Sequence, residues 1–175
     1  LTTNIGGAPV YPPQPDGIWR SVYNGQKWNT STGVDRFRRA IYTYRKRTSG
    51  YPAFLTFDAP TGDVCSARRI ATNTPLQALV TLNDPAHIEF AQALAKLMWE
   101  HHPDLSAKLA HGWKRITRQD PDSEILETLV KLHHEAIAEL QKAPDDSAKL
   151  AEDPARAALV IVANTILNSD AALNR

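Results

Sequence analysis

The sequence contains a single cysteine, Cys65, among its 175 residues. One thiol excludes a disulfide within the chain, a CxxC zinc knuckle, and the CxxCH motif that attaches haem covalently. The Gly-x-Ser-x-Gly elbow, the Walker phosphate loop and the dinucleotide-binding glycine motif are also absent. The sequence therefore carries no local signature of the common hydrolases, nucleotide-binding enzymes or c-type cytochromes.

A strong charge and a long apolar run are also absent. The net charge is +1 at pH 7, which gives no bulk electrostatic attraction to nucleic acid or to an acidic membrane surface. No apolar run approaches the roughly 20 residues that a membrane span needs, and Leu1-Thr2-Thr3 does not resemble a signal peptide. Hydrophobic residues make up 42% and charged residues 22%, which is typical of a globular chain.

The first 35 residues predict an extended arm. Residues 1–17 contain Gly6-Gly7 and four prolines. Proline fixes φ and removes a donor, so this segment must lie on a surface to be ordered. Further along, Asn24-Gly25 lies between aromatic-bearing flanks, and this dipeptide indicates a small β-hairpin over residues 18–28.

Residues 35–48 are compatible with two structures. Phe37, Ala40, Ile41 and Tyr44 have the spacing of one helical face, whereas the run from Ile41 to Tyr44 has high β-propensity. We predict a helix. The basic residues around the tyrosines form either a phosphate-binding stripe or a solvated face; they are Arg36, Arg38, Arg39, Arg45, Lys46 and Arg47.

Helix-start signals recur from residue 74 onwards. Thr74-Pro75 and Asp84-Pro85 each combine a capping residue with proline at the first helical position. The second of these begins a helix that should run to about His102. A further helix is predicted after Pro103-Asp104.

Two more helices are predicted in the C-terminal third. One begins within residues 120–125, and the last runs from Pro154 to about Asn168. The last helix is apolar on most sides, so it should be central in the packing. Residues 145–154 predict a polar connection. The sequence therefore indicates a mainly α protein: an irregular helical bundle over residues 36–175, preceded by the arm and hairpin over residues 1–35. The chain forms a single domain or the C-terminal part of a larger one.

The segment from Asp58 to Gln77 holds the candidate functional residues. Gln77 lies three residues after Thr74, where the partner in a capping box belongs. Two arginines precede this helix start, and they either form an anion site with it or pair with Asp58 or Asp63 to pin a loop. Cys65 could form a nucleophile pair with a distant histidine. The ligand-binding candidates are Asp58, Cys65, Arg68, Arg69, Asn73 and Gln77.

The histidines do not follow a metal-binding pattern. The segment His-His-Glu-Ala-Ile-Ala-Glu, which begins at His133, lacks the second histidine of a His-Glu-x-x-His motif. We therefore predict no metal site. Paired carboxylates such as Asp58 and Asp63 could hydrolyse glycosides at a suitable separation, but carboxylates in such loops more often cap turns.

Four motifs in order carry a family resemblance. They are GGAPVYPPQPDGIW from Gly6, RFRRAIYTYRKRT from Arg36, FDAPTGDVCSARRIATNTPLQALVTLND from Phe57, and VANTILNSD from Val162. Together they resemble the C-terminal domain of unknown function of large planctomycete secreted proteins that carry cytochrome c-like modules. The chain departs from the family pattern at Gly62-Asp63, where members have an arginine beside the acidic residue, and this weakens a salt bridge at that place.

The resemblance implies a cellular location and a domain arrangement that the composition of the chain does not indicate. It implies a periplasmic or secreted multidomain protein, with haem c on other domains and no cofactor in this chain. It also implies that a helical segment precedes the arm in the same domain. From this we expect a non-catalytic structural or ligand-binding module whose partners are the remaining domains of the parent protein and carbohydrate. The alternative is an enzyme acting on polysaccharide, with a site around Asp58, Arg68, Arg69 and Asn73.

Overall fold

The structure, a computed structural model, describes residues 2–15, 17, 25, 27–46, 48–60, 62, 65, 67–68 and 72–173. Within these residues the chain forms eight α-helices: α1 Pro52–Thr56, α2 Pro75–Asn83, α3 Pro85–His101, α4 Leu105–Thr117, α5 Ser123–Lys142, α6 Pro144–Leu150, α7 Pro154–Leu167 and α8 Asp170–Leu173. The β-pairing in this part of the chain is one isolated parallel bridge between Val10 and Thr43. The prediction of a mainly α fold is confirmed.

The chain folds as two compact units. The N-terminal unit comprises Leu1–Gln77 and Asp84–Ala86, and the C-terminal unit comprises Ala78–Asn83 and His87–Arg175. Residues 36–77 therefore pack in the same unit as the arm. The division into domains at residue 35 stays a prediction.

Aspartate caps explain where the long helices begin. The Asp104 carboxylate accepts a hydrogen bond from Ala107 N at 2.9 Å, and the Asp122 carboxylate accepts one from Ile125 N at 2.7 Å. Asp153 caps α7 in the same way. Each cap satisfies a first-turn donor that would otherwise lack a partner, which stabilises a helix by about 1 kcal/mol. The predicted helices that begin at these caps are confirmed.

Helix α7 is the centre of the C-terminal unit, as predicted. Its buried residues include Leu159, Val162 and Ile166, each at most 1% exposed. They belong to one apolar cluster with Met98 of α3 and Leu109 of α4. A helix that is apolar on most sides must be covered on most sides, and α7 achieves this by packing among its neighbours.

The predicted helix over residues 35–48 is wrong. Within the described part of this range, the structure has the end of a 3-10 turn at Gly33–Asp35 and a second 3-10 turn at Ala40–Tyr42, but no α-helix, and Ile41 is 84% exposed. Val10 N donates to Tyr42 O and Tyr44 N donates to Val10 O, both at 2.8 Å. Since these backbone groups pair with the arm, they are not available to an α-helical ladder. Tertiary pairing has overridden the helical spacing of the apolar residues.

Two other predicted segments have different outcomes. The predicted polar connection over residues 145–154 is wrong in part, because α6 occupies Pro144–Leu150 and buries Ser147. Pro144 provides the first helical residue there, a position where its missing N–H costs nothing. The hairpin predicted over residues 18–28 falls mostly outside the described residues.

The arm lies on aromatic side chains of the N-terminal unit. Trp28 Nε1 donates to Pro12 O and the Tyr51 hydroxyl donates to Pro13 O, both at 2.8 Å. The two rings are stacked, with centroids 5.6 Å apart. Burial, with a smaller effect from the charge of Asp84, raises the pKa of Tyr51 to about 12. The hydroxyl therefore keeps its proton and remains a donor to the arm.

Arg38 holds the start of the arm. The residue is 7% exposed. Its Nη2 atom donates to Asn4 O at 3.0 Å and also to Gly6 O. Its guanidinium lies 3.9 Å from the centroid of the Tyr42 ring. This member of the basic stripe thus binds backbone carbonyls of its own chain.

None of the described helices combines the length and the apolar character that crossing a membrane requires.

Candidate functional site

The Asp58 carboxylate binds the loop that leads into α2. Its Oδ2 atom accepts hydrogen bonds from Thr72 N and Thr72 Oγ1, both at 2.7 Å, and from Gln77 Nε2 at 3.3 Å. Asp58 lies two residues after the end of α1 and has a φ of 53°. This left-handed conformation is one that aspartate and asparagine tolerate better than most residues. One carboxylate oxygen therefore connects the end of α1 with the residues before α2.

Gln77 has two structural roles. Its backbone N–H donates to Thr74 Oγ1 at 3.3 Å and its Oε1 accepts from Thr74 N at 3.1 Å, which completes the predicted capping box. Its Nε2 donates to Thr56 O at 2.8 Å, in addition to Asp58. The residue is 6% exposed, so this amide is a buried and satisfied group. We call Thr56, Asp58, Thr72, Thr74 and Gln77 the loop network.

The remaining candidates are either exposed or lie outside the described residues. Cys65, Arg68 and Asn73 are exposed, and Cys65 is a free thiol. Arg69 and Asp63 lie outside the described residues, and so does any contact that they make. Among the sequence candidates, the described contacts thus join Asp58 with Gln77, and they do so through hydrogen bonds that order the loop.

His101, His111 and His133 each contact another histidine or the backbone. The rings of His101 and His111 are stacked with centroids 3.7 Å apart, and burial lowers the pKa of His111, with smaller effects from His101 and Arg115. His133 is buried, and its Nε2 lies 3.2 Å from Ala155 O. Within the described residues, no cluster of three or more histidine, cysteine, aspartate or glutamate side chains could hold a metal ion. The absence of a metal site stays a prediction.

A pocket of about 350 Å³ lies elsewhere, within the C-terminal unit. Its lining includes Gln92, Lys96 and Trp99 of α3 and Arg156 of α7. Sequence reasoning did not single out these residues. The spacing of Gln92, Lys96 and Trp99, at i, i+4 and i+7, was a signal that they share one helical face. Since apolar helical faces usually serve the core, this spacing alone could not distinguish a pocket wall from core packing.

Comparison with known proteins identifies a family for this chain. Residues 1–133 match the family described as "PSD1: Protein of unknown function (DUF1553)". The match covers more than half of the chain, so the chain belongs to this family. No curated protein and no solved structure matches the chain.

Proposed function

We propose that this member of the PSD1 family is a non-catalytic structural or ligand-binding module of a larger extracytoplasmic protein. The parent protein would carry cytochrome c-like modules, as the sequence motifs around Arg68 and Thr74 imply by resemblance. The module itself would need no cofactor. Its partners would be the other domains of the same polypeptide and a carbohydrate ligand.

The use of the Asp58 carboxylate supports a structural role. A catalytic carboxylate needs an oxygen that can reach a substrate or a water molecule. Asp58 Oδ2 instead accepts three hydrogen bonds from the loop network. Hydrogen bonds to a charged acceptor contribute about 1.5–3 kcal/mol each, so this oxygen contributes mainly to the stability of the loop.

Substitution of Asp58 distinguishes a structural role from a catalytic one. Asp58→Asn keeps the size of the side chain but removes its charge, so it should lower the urea midpoint of unfolding by weakening the bonds from Thr72 and Gln77. Asp120→Asn is the matched control, because Asp120 is an exposed carboxylate with one ion-pair partner, Lys114, at 2.8 Å. An exposed pair contributes about 0–1 kcal/mol, so the control should change the midpoint little.

The polysaccharide-hydrolase alternative predicts the opposite result. Asp58→Asn would then leave the urea midpoint at the wild-type value and abolish the release of reducing ends from a polysaccharide. A glycan array probed with the wild-type protein would identify the carbohydrate. The proposed setting has its own test: an antibody against this chain should detect, in the periplasmic or secreted fraction, a longer polypeptide that stains for covalent haem.

A further inference from the structure

The pocket in the C-terminal unit has the size and composition of a small-molecule site. Its volume of about 350 Å³ lies within the range of about 300–1,000 Å³ that is typical of ligand pockets. Helix α3 forms one wall, α7 forms another, and Leu150 with the residues after it closes an end. Gln92 Nε2 donates to Leu150 O at 3.0 Å, which holds that end against α3. The walls are therefore positioned before any ligand arrives.

Trp99 is the largest apolar group in the pocket wall, and two cations lie over its ring. Lys108 Nζ is 3.8 Å from the ring centroid and the Arg156 guanidinium carbon is 4.8 Å from it. Lys108 is 9% exposed. The ring holds these charges through its negative face. Of these two cations, Arg156 lies in the pocket wall.

Two carboxylates among the described residues are ion-pair partners of Arg156, and both lie beyond hydrogen-bonding distance of its guanidinium. Its Nη1 lies 3.9 Å from Glu152 Oε2 and its Nε lies 4.0 Å from Asp153 Oδ2. Both separations exceed hydrogen-bonding distance. The side chain is 47% exposed, so its planar donors are accessible from the pocket. A guanidinium in this state is suited to bind a carboxylate through two parallel hydrogen bonds.

The acidic residues near the pocket oppose an anion only weakly. Glu152 is 94% exposed, so its charge is well solvated and screened by salt. Glu100 lies 3.9 Å from Lys96 on the exposed rim, and these two charges offset each other. Asp153 accepts the hydrogen bond of Ala155 N at 2.9 Å, so one of its oxygens already serves as the cap of α7. Among the charged side chains that line the pocket, Arg156 at 47% is the least exposed.

We propose that this pocket binds a small organic carboxylate with an apolar body. The carboxylate pairs with Arg156, and the apolar body contacts Trp99, Leu150 and Val160. The proposal goes beyond the proposed function, whose ligand is a carbohydrate. It concerns a different part of the chain from the loop network.

Phenylacetate is a suitable probe, because it combines one carboxylate with one apolar ring. In a ¹H–¹⁵N NMR titration of the full chain, phenylacetate should produce saturable shifts of the Trp99 indole N–H, a signal that Trp99→Phe would assign. Phenylacetamide has the same shape without the charge and should bind about tenfold more weakly, as expected for the loss of charge-assisted hydrogen bonds. No saturable shift with phenylacetate, or equal affinity for the amide, would overturn the proposal.

Arg156→Gln tests the residue directly. The variant should weaken phenylacetate binding about tenfold while the NMR spectrum stays dispersed. Lys131→Gln is the matched control and should leave the affinity unchanged. Lys131 also lies on a helix beside an open pocket, in an i,i+4 pair with Glu135 at 3.9 Å. Unchanged affinity in Arg156→Gln would contradict the assignment.

A measurement on the unmodified protein covers the case in which Arg156→Gln fails to fold. Phenylacetate affinity should fall as NaCl rises from 20 to 500 mM, since screening weakens an ion pair at a half-exposed site, and a salt-independent affinity would overturn the proposal. A titration without saturable shifts would exclude this pocket as a carboxylate site. It would not affect the structural role of Asp58, which is tested separately by urea midpoints.

Discussion

Gly112 on α4 packs directly against Met98 on α3. A Cβ atom added to Gly112 would lie 2.5 Å from Met98 Sδ and 2.9 Å from Met98 Cγ. Both distances are shorter than any van der Waals contact between these atoms. The Met98 side chain therefore occupies the space that a side chain at position 112 would need.

Gly112→Ala should therefore destabilise the protein. Alanine favours a helix over glycine by about 1 kcal/mol, but overpacking a buried interface costs about 1–3 kcal/mol, so the net effect should be a lower urea midpoint. Met98→Ala removes the obstructing atoms. In that background the same substitution should raise the midpoint, and a double-mutant cycle measures the difference. Additive effects would show that the two side chains do not compete for space.

Thr74→Ala should destabilise the protein by about 1 kcal/mol, because it leaves the Gln77 N–H without its cap. Urea midpoints of the variant and the wild type measure this. Thr165→Ala is a suitable control, because Thr165 is exposed in the last turn of α7 and its hydroxyl donates to Ile161 O of the same helix. The control should leave the midpoint unchanged or raise it slightly. Equal midpoints for Thr74→Ala and wild type would contradict the capping role.

The stability of the protein should fall as the pH is lowered through about 6.5. Burial lowers the pKa of His133. The hydrogen bond with Ala155 O raises this pKa to a smaller extent, and the charges of His134 and Lys108 lower it further. Its Nδ1 is buried without a partner among the described residues, so a proton there would have no acceptor. Below the unfolded pKa of about 6.5 the unfolded chain binds the proton and the folded chain resists it. Stability is therefore fully present above that pH and is lost as the pH falls towards the lowered pKa.

His133→Gln should reduce this pH dependence. Glutamine can retain a donor towards Ala155 O, and it does not titrate. Urea midpoints at pH 7.5 and 5.5 should differ less in this variant than in wild type. His134→Gln, a change at the exposed neighbouring position, should retain most of the wild-type difference. An unchanged difference in His133→Gln would show that another group causes the acid sensitivity.

The chain should bind no haem. Covalent attachment requires two thiols at CxxC spacing and a histidine, and Cys65 is followed by Ser-Ala-Arg. The purified protein should show no Soret band, with or without added haemin. A stoichiometric Soret peak that disappears when one histidine is substituted would contradict this prediction and would indicate electron transfer.

Local signals predicted the helices well. Asp104, Asp122 and Pro154 mark helix starts by side-chain chemistry that acts within one turn, so they could be identified without knowing the fold. Residues 35–48 were predicted incorrectly because the backbone of Tyr42 and Tyr44 pairs with Val10, more than 30 residues earlier. Sequence spacing contains no information about such a distant partner.

The candidate site was also predicted only in part from the sequence. The capping role of Gln77 followed from its spacing to Thr74, but its bonds to Thr56 O and Asp58 depend on how the loop folds back. The pocket beside Trp99 was not predicted, because Arg156 approaches it from a helix more than 50 residues away.

The hydrogen bonds that hold the arm also affect when the arm docks during folding. Trp28 and Pro12 are 16 residues apart, Arg38 and Asn4 are 34 apart, and Tyr51 and Pro13 are 38 apart. Forming such contacts requires closure of long loops before any stabilisation is gained, whereas helices form from neighbours in sequence. Docking of the arm onto these distant partners should therefore follow formation of the helices. In a refolding experiment the fluorescence of Trp28 should reach its native value after that of Trp113, which lies in the helical unit.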